Sequence, residues 1–194
     1  MAVKSNFASG GVLNASDVNT YLTNGGLVYI TQTLVTSGTS SSISFNNVFT
    51  STYDNYRIIF DSWQPSTAGT DLVFRLRNSG TDRTGGNYNS IVTGIYQNST
   101  STNFTQQNGS YLFLGLYNSL NTDPYATASI DVYNPQRNDR TFFTGLSAFY
   151  NGQLGSRTLA GVYWVADQND GFTLLPTAGN ITTLRVRVYG YRNA

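Results

Sequence analysis

The sequence predicts an all-β chain: a β-sandwich or jelly roll of about ten strands, preceded by an arm and one short helix. Three observations carry this. Apolar runs of strand length recur at roughly 8–15-residue spacing, divided by stretches rich in Gly, Asn, Asp and Pro. Strand and turn formers dominate, with 14 Tyr, 11 Phe and 19 Gly in 194 residues. Solvent-facing helices lack their usual material, because Lys4 is the one lysine and glutamate is absent.

Residues 1–11 are small and polar and end in Gly10 and Gly11, which reads as an extended arm. The one segment of helical period follows. Asn14 or Ser16 caps it, Asp17 suits its positive end, and Val18, Tyr21 and Leu22 fall at i, i+3 and i+4. Asn24, Gly25 and Gly26 stop it. Two turns are not stable in isolation, so the helix must dock on its own domain or on a neighbouring subunit. The chain thus divides into an arm with its helix, 1–26, and a sandwich body, 27–194.

In the body, Leu27–Val35 is the first apolar-rich run, and Ile43, Phe45, Val48 and Phe49 follow it. A mixed-face strand spans 56–63. In 71–77, Leu72, Phe74 and Leu76 alternate with Val73, Arg75 and Arg77. Residues 78–87 and 97–110 read as long polar loops, the second almost wholly Asn, Ser, Thr, Gln and Gly around Phe104. Strands at 88–96, 111–117, 125–133, 141–150, 158–166 and 172–175 precede the last, 183–191. There Leu184, Val186 and Val188 share one parity, and Arg185, Arg187 and Tyr189 the other. Burying three such side chains yields roughly 1.5–3 kcal/mol each, against about 1–2 kcal/mol for ordering each residue. This strand therefore needs sheet neighbours and an opposing layer.

The formal charge of +1 gives no field to steer the chain to nucleic acid or an anionic membrane, and neither is an expected partner. Without Cys or His there is no thiolate site, imidazole base or usual zinc site. No apolar run approaches the roughly 20 residues that span a bilayer. Residues 1–11 lack the apolar region of a secretory signal, so a soluble chain is expected. Asp54 and Asp61, seven apart on one strand, would face opposite ways, and no Asp pair has a spacing suited to acid–base work. The expectation is a non-enzyme without cofactor.

Asp167, Gln168, Asn169, Asp170 and Gly171 offer the closely spaced oxygens that calcium prefers, but the run is too short for an EF-hand loop. It reads as a hairpin turn, with Asp170-Gly171 suited to positive φ, and no metal is expected. Arg75, Arg77, Arg185 and Arg187 would form one stripe if their strands pair. Such a stripe is either a subunit interface, shared with Tyr189, or a solvated face with local Asp partners. The Tyr-rich, uncharged surface suits sugars or protein interfaces equally.

Ser5-Asn6-Phe7-Ala8-Ser9-Gly10-Gly11-Val12-Leu13-Asn14-Ala15-Ser16-Asp17-Val18-Asn19-Thr20-Tyr21-Leu22 resembles the opening of small structural proteins of tailed bacteriophages. In that group a phenylalanine, a glycine, a Val-Leu-Thr-Ala run and an Asp-Val-Asn step precede a short helix; Asn14 stands where Thr is commoner. Residues 49–58 and 184–192 resemble the same group. The resemblance implies a virion component. One form is a capsid decoration, or cement, protein: a homotrimer on the outer surface of the head, bound to the major capsid protein. Its capsid anchor would be Phe7, Val12, Leu13, Val18, Tyr21 and Leu22. The alternative is a tail-fibre or adsorption protein that binds a host glycan through 78–87 and 97–110.

Overall fold

Thirteen strands, all paired antiparallel, make up the described chain: β1 (Leu27–Val35), β2 (Ile43–Phe45), β3 (Asn55–Pro65), β4 (Thr70–Asn78), β5 (Thr81–Asp82), β6 (Tyr88–Tyr96), β7 (Thr102–Gly109), β8 (Leu112–Asn118), β9 (Ala126–Tyr133), β10 (Thr141–Tyr150), β11 (Leu154–Tyr163), β12 (Gly171–Pro176) and β13 (Ile181–Tyr191). The computed structural model describes residues 26–36, 38–98, 101–118, 126–150 and 152–193. The predicted arm and helix, with Phe7, Val12, Leu13, Val18, Tyr21 and Leu22, lie outside the described residues.

The strands form two sheets, stacked as a sandwich. The larger runs β1-β13-β3-β9-β10-β11-β6-β7; the smaller runs β2-β12-β4-β5, with β8 also on β4. Each sheet wedges a late strand between two early ones. β13 lies between β1 and β3, and β12 between β2 and β4.

Alternation decides which side chains meet between the layers. Leu184, Val186 and Val188 of β13 point inward, beside Tyr56, Ile58 and Phe60 of β3 and Ala128, Ile130 and Val132 of β9. Leu72, Phe74 and Leu76 of β4 face them from the smaller sheet. Phe172 of β12 sits at the centre of an aromatic stack, with ring centroids 4.6 Å from Phe45, 5.0 Å from Phe74 and 5.7 Å from Phe49. Ser147 donates across the layers to the Gly115 carbonyl at 2.9 Å, so its buried hydroxyl is satisfied.

Irregularities in the strands also have local causes. Ser62 has φ 59°, and the β3–β13 register slips there. The resulting bulge lets both Phe60 and Trp63 point inward, three residues apart. Buried tyrosines use their hydroxyls to hold loops. The Tyr56 hydroxyl takes the Thr50 N–H at 2.6 Å and donates to the Thr50 carbonyl at 2.7 Å. Tyr88 accepts the Leu76 N–H at 2.8 Å and donates to the Arg83 carbonyl at 3.1 Å. Burial pushes both phenols above their ordinary range.

Three expectations are corrected. Residues 97–110 are not all loop, because Thr102–Gly109 forms edge strand β7 on β6. β11 begins at Leu154, four residues before the predicted start. Residues 167–171 are not a hairpin turn, since β11 and β12 belong to different sheets and this segment crosses between them. The crossing is held by fully buried Asn169. Its N–H donates to the Pro135 carbonyl at 2.8 Å, its amide to the Asp167 carbonyl at 3.1 Å, and its own carbonyl accepts from Gln136 at 3.1 Å. Asp170 is likewise engaged, accepting the Ser79 N–H at 2.8 Å.

Candidate functional site

Side chains that point out of the eight-stranded sheet divide it into a charged half and an uncharged half. The charged half lies on β13, β3 and β9. Arg187 reaches Asp61 at 2.9 Å and Arg185 approaches the same carboxylate at 3.6 Å. Arg57 forks onto Asp131 through Nε at 2.9 Å and Nη2 at 2.7 Å. The Tyr191 hydroxyl donates to the same carboxylate at 2.6 Å. The Asp131 hydrogen bond raises the Arg57 pKa. Burial and the Asp131 contact push the Tyr191 hydroxyl up to about 12. Tyr189 meets Tyr29 of β1 edge-on at 5.9 Å.

Arg75 and Arg77 lie elsewhere. They project from the outer side of β4, in the smaller sheet, where both approach Asp82. Arg77 also donates to Ser44 at 2.9 Å, Thr173 at 2.6 Å and Asn46 at 3.0 Å. β4 and β13 do not pair, so the four arginines do not make one stripe. Each group is matched to an aspartate of its own chain. Arg83 with Asp167 and Arg137 with Asp54 repeat the pattern.

The uncharged half lies on β6, β11 and β10. β6 and β10 contain no charged residue. The one on β11, Arg157, turns inward, over the Phe149 ring at 4.8 Å, with Nη1 3.7 Å from Asp71. Outward from these strands stand Ile91, Ile95, Phe142, Leu146, Tyr150 and Leu154, all between 46% and 66% exposed. Register sets small residues between them. Leu146 lies opposite Thr158 and then Thr93, Ile95 opposite Ser156 and then Ala148, and Ile91 opposite Ala160 and then Thr144. The relief is therefore one of apolar knobs over a floor of Ala, Ser and Thr. A trough of about 420 Å³ opens between Ile91, Phe142, Ala160 and Val162, with Thr105 and Gln107 of β7 on its rim.

A smaller recess, about 250 Å³, lies at the sandwich side, among Asp71, Asn103, Phe104, Phe113 and Arg157. Phe104 and Phe113 pack at 4.3 Å. Burial pushes the Asp71 carboxyl up to about 6, and Arg157 opposes that shift only in part. Among the described residues, no group of three or more acidic or other ligating side chains is placed to hold a metal ion.

The apolar outer face was not singled out in the sequence, although its signal is there. Strands β6, β10 and β11 carry apolar residues at both parities, the mark of a strand covered on both sides.

No family model matches the chain, and no curated protein matches it. Solved structures resemble it only faintly. The Crh5 transglycosylase in complex with NAG shares 10% identity at TM-score 0.28, over 84% of this chain and 73% of that one. A fructofuranosidase from Schwanniomyces occidentalis shares 7% at TM-score 0.23, over 84% and 34%. A glycosyl hydrolase family protein from Mycobacterium fortuitum shares 12% at TM-score 0.22, over 81% and 67%. Similarity at this level carries no argument about activity.

Proposed function

We propose that this chain is a non-enzymatic structural protein of a bacteriophage virion, a decoration protein of the head shell. Segment 1–26 anchors it to the major capsid protein, and the sandwich body stands on the outer surface as part of a homotrimer. The observation that carries this reading is the unusual division of the larger sheet. On one half, charges are spent on one another in intrachain Arg–Asp contacts. The other half presents a broad apolar surface with no charge, the chemistry of a building block held by contact area. The phrases at 5–22, 49–58 and 184–192 support the same class. The mechanism is mechanical: each copy bridges neighbouring capsid subunits, and the added contact free energy resists the pressure of the packaged genome.

Cryo-EM of intact virions tests the proposal. The expected result is a β-sandwich of this size on the head shell, with residues 1–26 reaching into capsid subunits. Deleting 1–26 is expected to abolish attachment while the body stays folded. A truncated chain that still binds heads refutes the anchor.

A second reading, an adsorption protein at the tail, is favoured by the recess at Asp71. Asn103, Asp71 and Arg157 offer hydroxyl-binding groups beside the Phe104–Phe113 wall, a combination suited to a sugar ring. Density at the tail alone, with glycan binding lost in Asn103→Ala, would replace the first reading with this one.

A further inference from the structure

We propose that the outer face of β6, β10 and β11 is the surface through which copies of this chain associate with one another. The inference deepens the assembly reading by naming the surface and its occupant, a second copy of the same chain.

Among the described residues, the outer side of these strands has no cover. β10 sends Phe143 and Phe149 into the core, both almost fully buried, and sends Phe142, Leu146 and Tyr150 outward. β6 does the same with Val92 inward against Ile91 and Ile95 outward. A strand with one wet face alternates apolar with polar; these strands are written for two covered faces, and the described residues supply one.

Charge and shape identify the occupant. A partner chosen by charge complementarity needs a charge to read; these strands turn none outward, and the cation at their end, Arg140, lies over the Trp164 ring at 4.5 Å. An uncharged face meets its own copy without like-charge repulsion. The same face carries both halves of a fit: Leu146 and Ile95 stand as knobs, and beside them the 420 Å³ trough at Ile91, Phe142, Ala160 and Val162 has room for such a side chain. Two copies about a two-fold axis, or three converging on a three-fold, can each place a knob in a neighbour's trough. Area agrees as well. Half-exposed side chains of this size present on the order of 100 Å² each, so the six large ones present roughly 600 Å². The Thr, Ser and Ala positions between them bring the face to about the 800 Å² that each partner contributes to a stable interface.

Single charges placed on the knobs test this without touching the core, because Leu146 is 56% and Ile95 66% exposed. The full chain and the variants Leu146→Asp, Ile95→Asp and Leu34→Asp would be compared by native mass spectrometry and light scattering, with circular dichroism to verify folding. Leu34 is an exposed apolar residue on β1, at the far edge of the sheet. The expected result is a wild-type mass that is a multiple of 21.2 kDa. Both face variants should weaken association at least about a hundred-fold, and Leu34→Asp should keep the wild-type mass. A wild-type monomer at high micromolar concentration overturns the proposal, including the case in which residues 1–25 cover the face and their deletion creates assembly. Assembly that survives Leu146→Asp and Ile95→Asp overturns it too. Mass is read in solution and virion location by imaging, so this inference and the decoration reading can fail separately.

Discussion

Asp71 makes stability fall as pH rises, and the size of the effect follows from its surroundings. Its carboxyl is 17% exposed, and the nearest cation, Arg157 Nη1, stands at 3.7 Å, beyond hydrogen-bond length. Desolvation outweighs that attraction, so the pKa climbs from 3.8 in a solvated carboxyl to about 6 in the fold. Between those values the unfolded chain has released the proton while the folded chain holds it. Stability from this group is therefore full below pH 4, declines through the window, and is gone above the folded pKa. Roughly two units correspond to about 3 kcal/mol, and residual solvent contact trims this to about 2–3 kcal/mol. Urea unfolding of wild type and Asp71→Asn, at steps from pH 4 to pH 7, measures it. Other carboxylates are common to both chains, and the attraction of Arg157 for the anion is already contained in the raised pKa, so the difference between the two curves isolates Asp71. That difference should shift by 2–3 kcal/mol against wild type as pH rises. A flat difference would show a solvated carboxyl. One that shifts in favour of wild type would show that Arg157 dominates, and would refute the reasoning.

Two further outcomes follow from packing. Phe172→Ala removes the ring at the centre of the Phe45, Phe49 and Phe74 stack and should lower unfolding free energy by about 3–5 kcal/mol in urea. Phe172→Leu, which keeps most of the volume, should lose distinctly less; equal losses would mean that stacking, not filling, sets the value. At Gly171 a Cβ would run into the Phe45 carbonyl, because β2 and β12 approach too closely there for any side chain. Gly171→Ala should cost about 1–3 kcal/mol, and a neutral result by thermal melting would place the β2 contact among the loosely held parts.

The strands legible in the sequence were those with one dry face. Leu184, Val186 and Val188 against Arg185, Arg187 and Tyr189 gave β13 its orientation, and the structure buries the first three as read. β7 was illegible because an edge strand of Thr, Asn and Gln has almost nothing to bury: its residues 102–105 are all exposed, and β6 is the one strand it pairs with. The turn at 167–171 was misread for a different reason. Alternation reports which face a residue takes but not which strand lies beside it, so a crossing between sheets looks like a tight turn. The same blindness left the pairing of the arginine strands open, and Arg75 and Arg77 proved to lie in the other sheet from Arg185 and Arg187. The outer face of β10 was visible in principle, since Phe142, Leu146 and Tyr150 stand at the parity opposite to Phe143 and Phe149.

The late strand wedged between two early ones has a consequence for how the chain is made. Arg187 meets Asp61 across 126 positions of sequence, and β3 has β13 along one whole edge. During synthesis β1 and β3 emerge early and then wait, with the slot between them unfilled, while most of the body is still being added. β2 and β4 wait for β12 in the same way. Folding that depends on such distant pairings is slow, on the order of milliseconds to seconds, and crowding on the ribosome brings several open slots together. The β13 of one nascent chain then has the same fit to a neighbour's slot as to its own. Exchange of that strand between copies is the misassembly this topology invites, and slower synthesis of its last third would aggravate it.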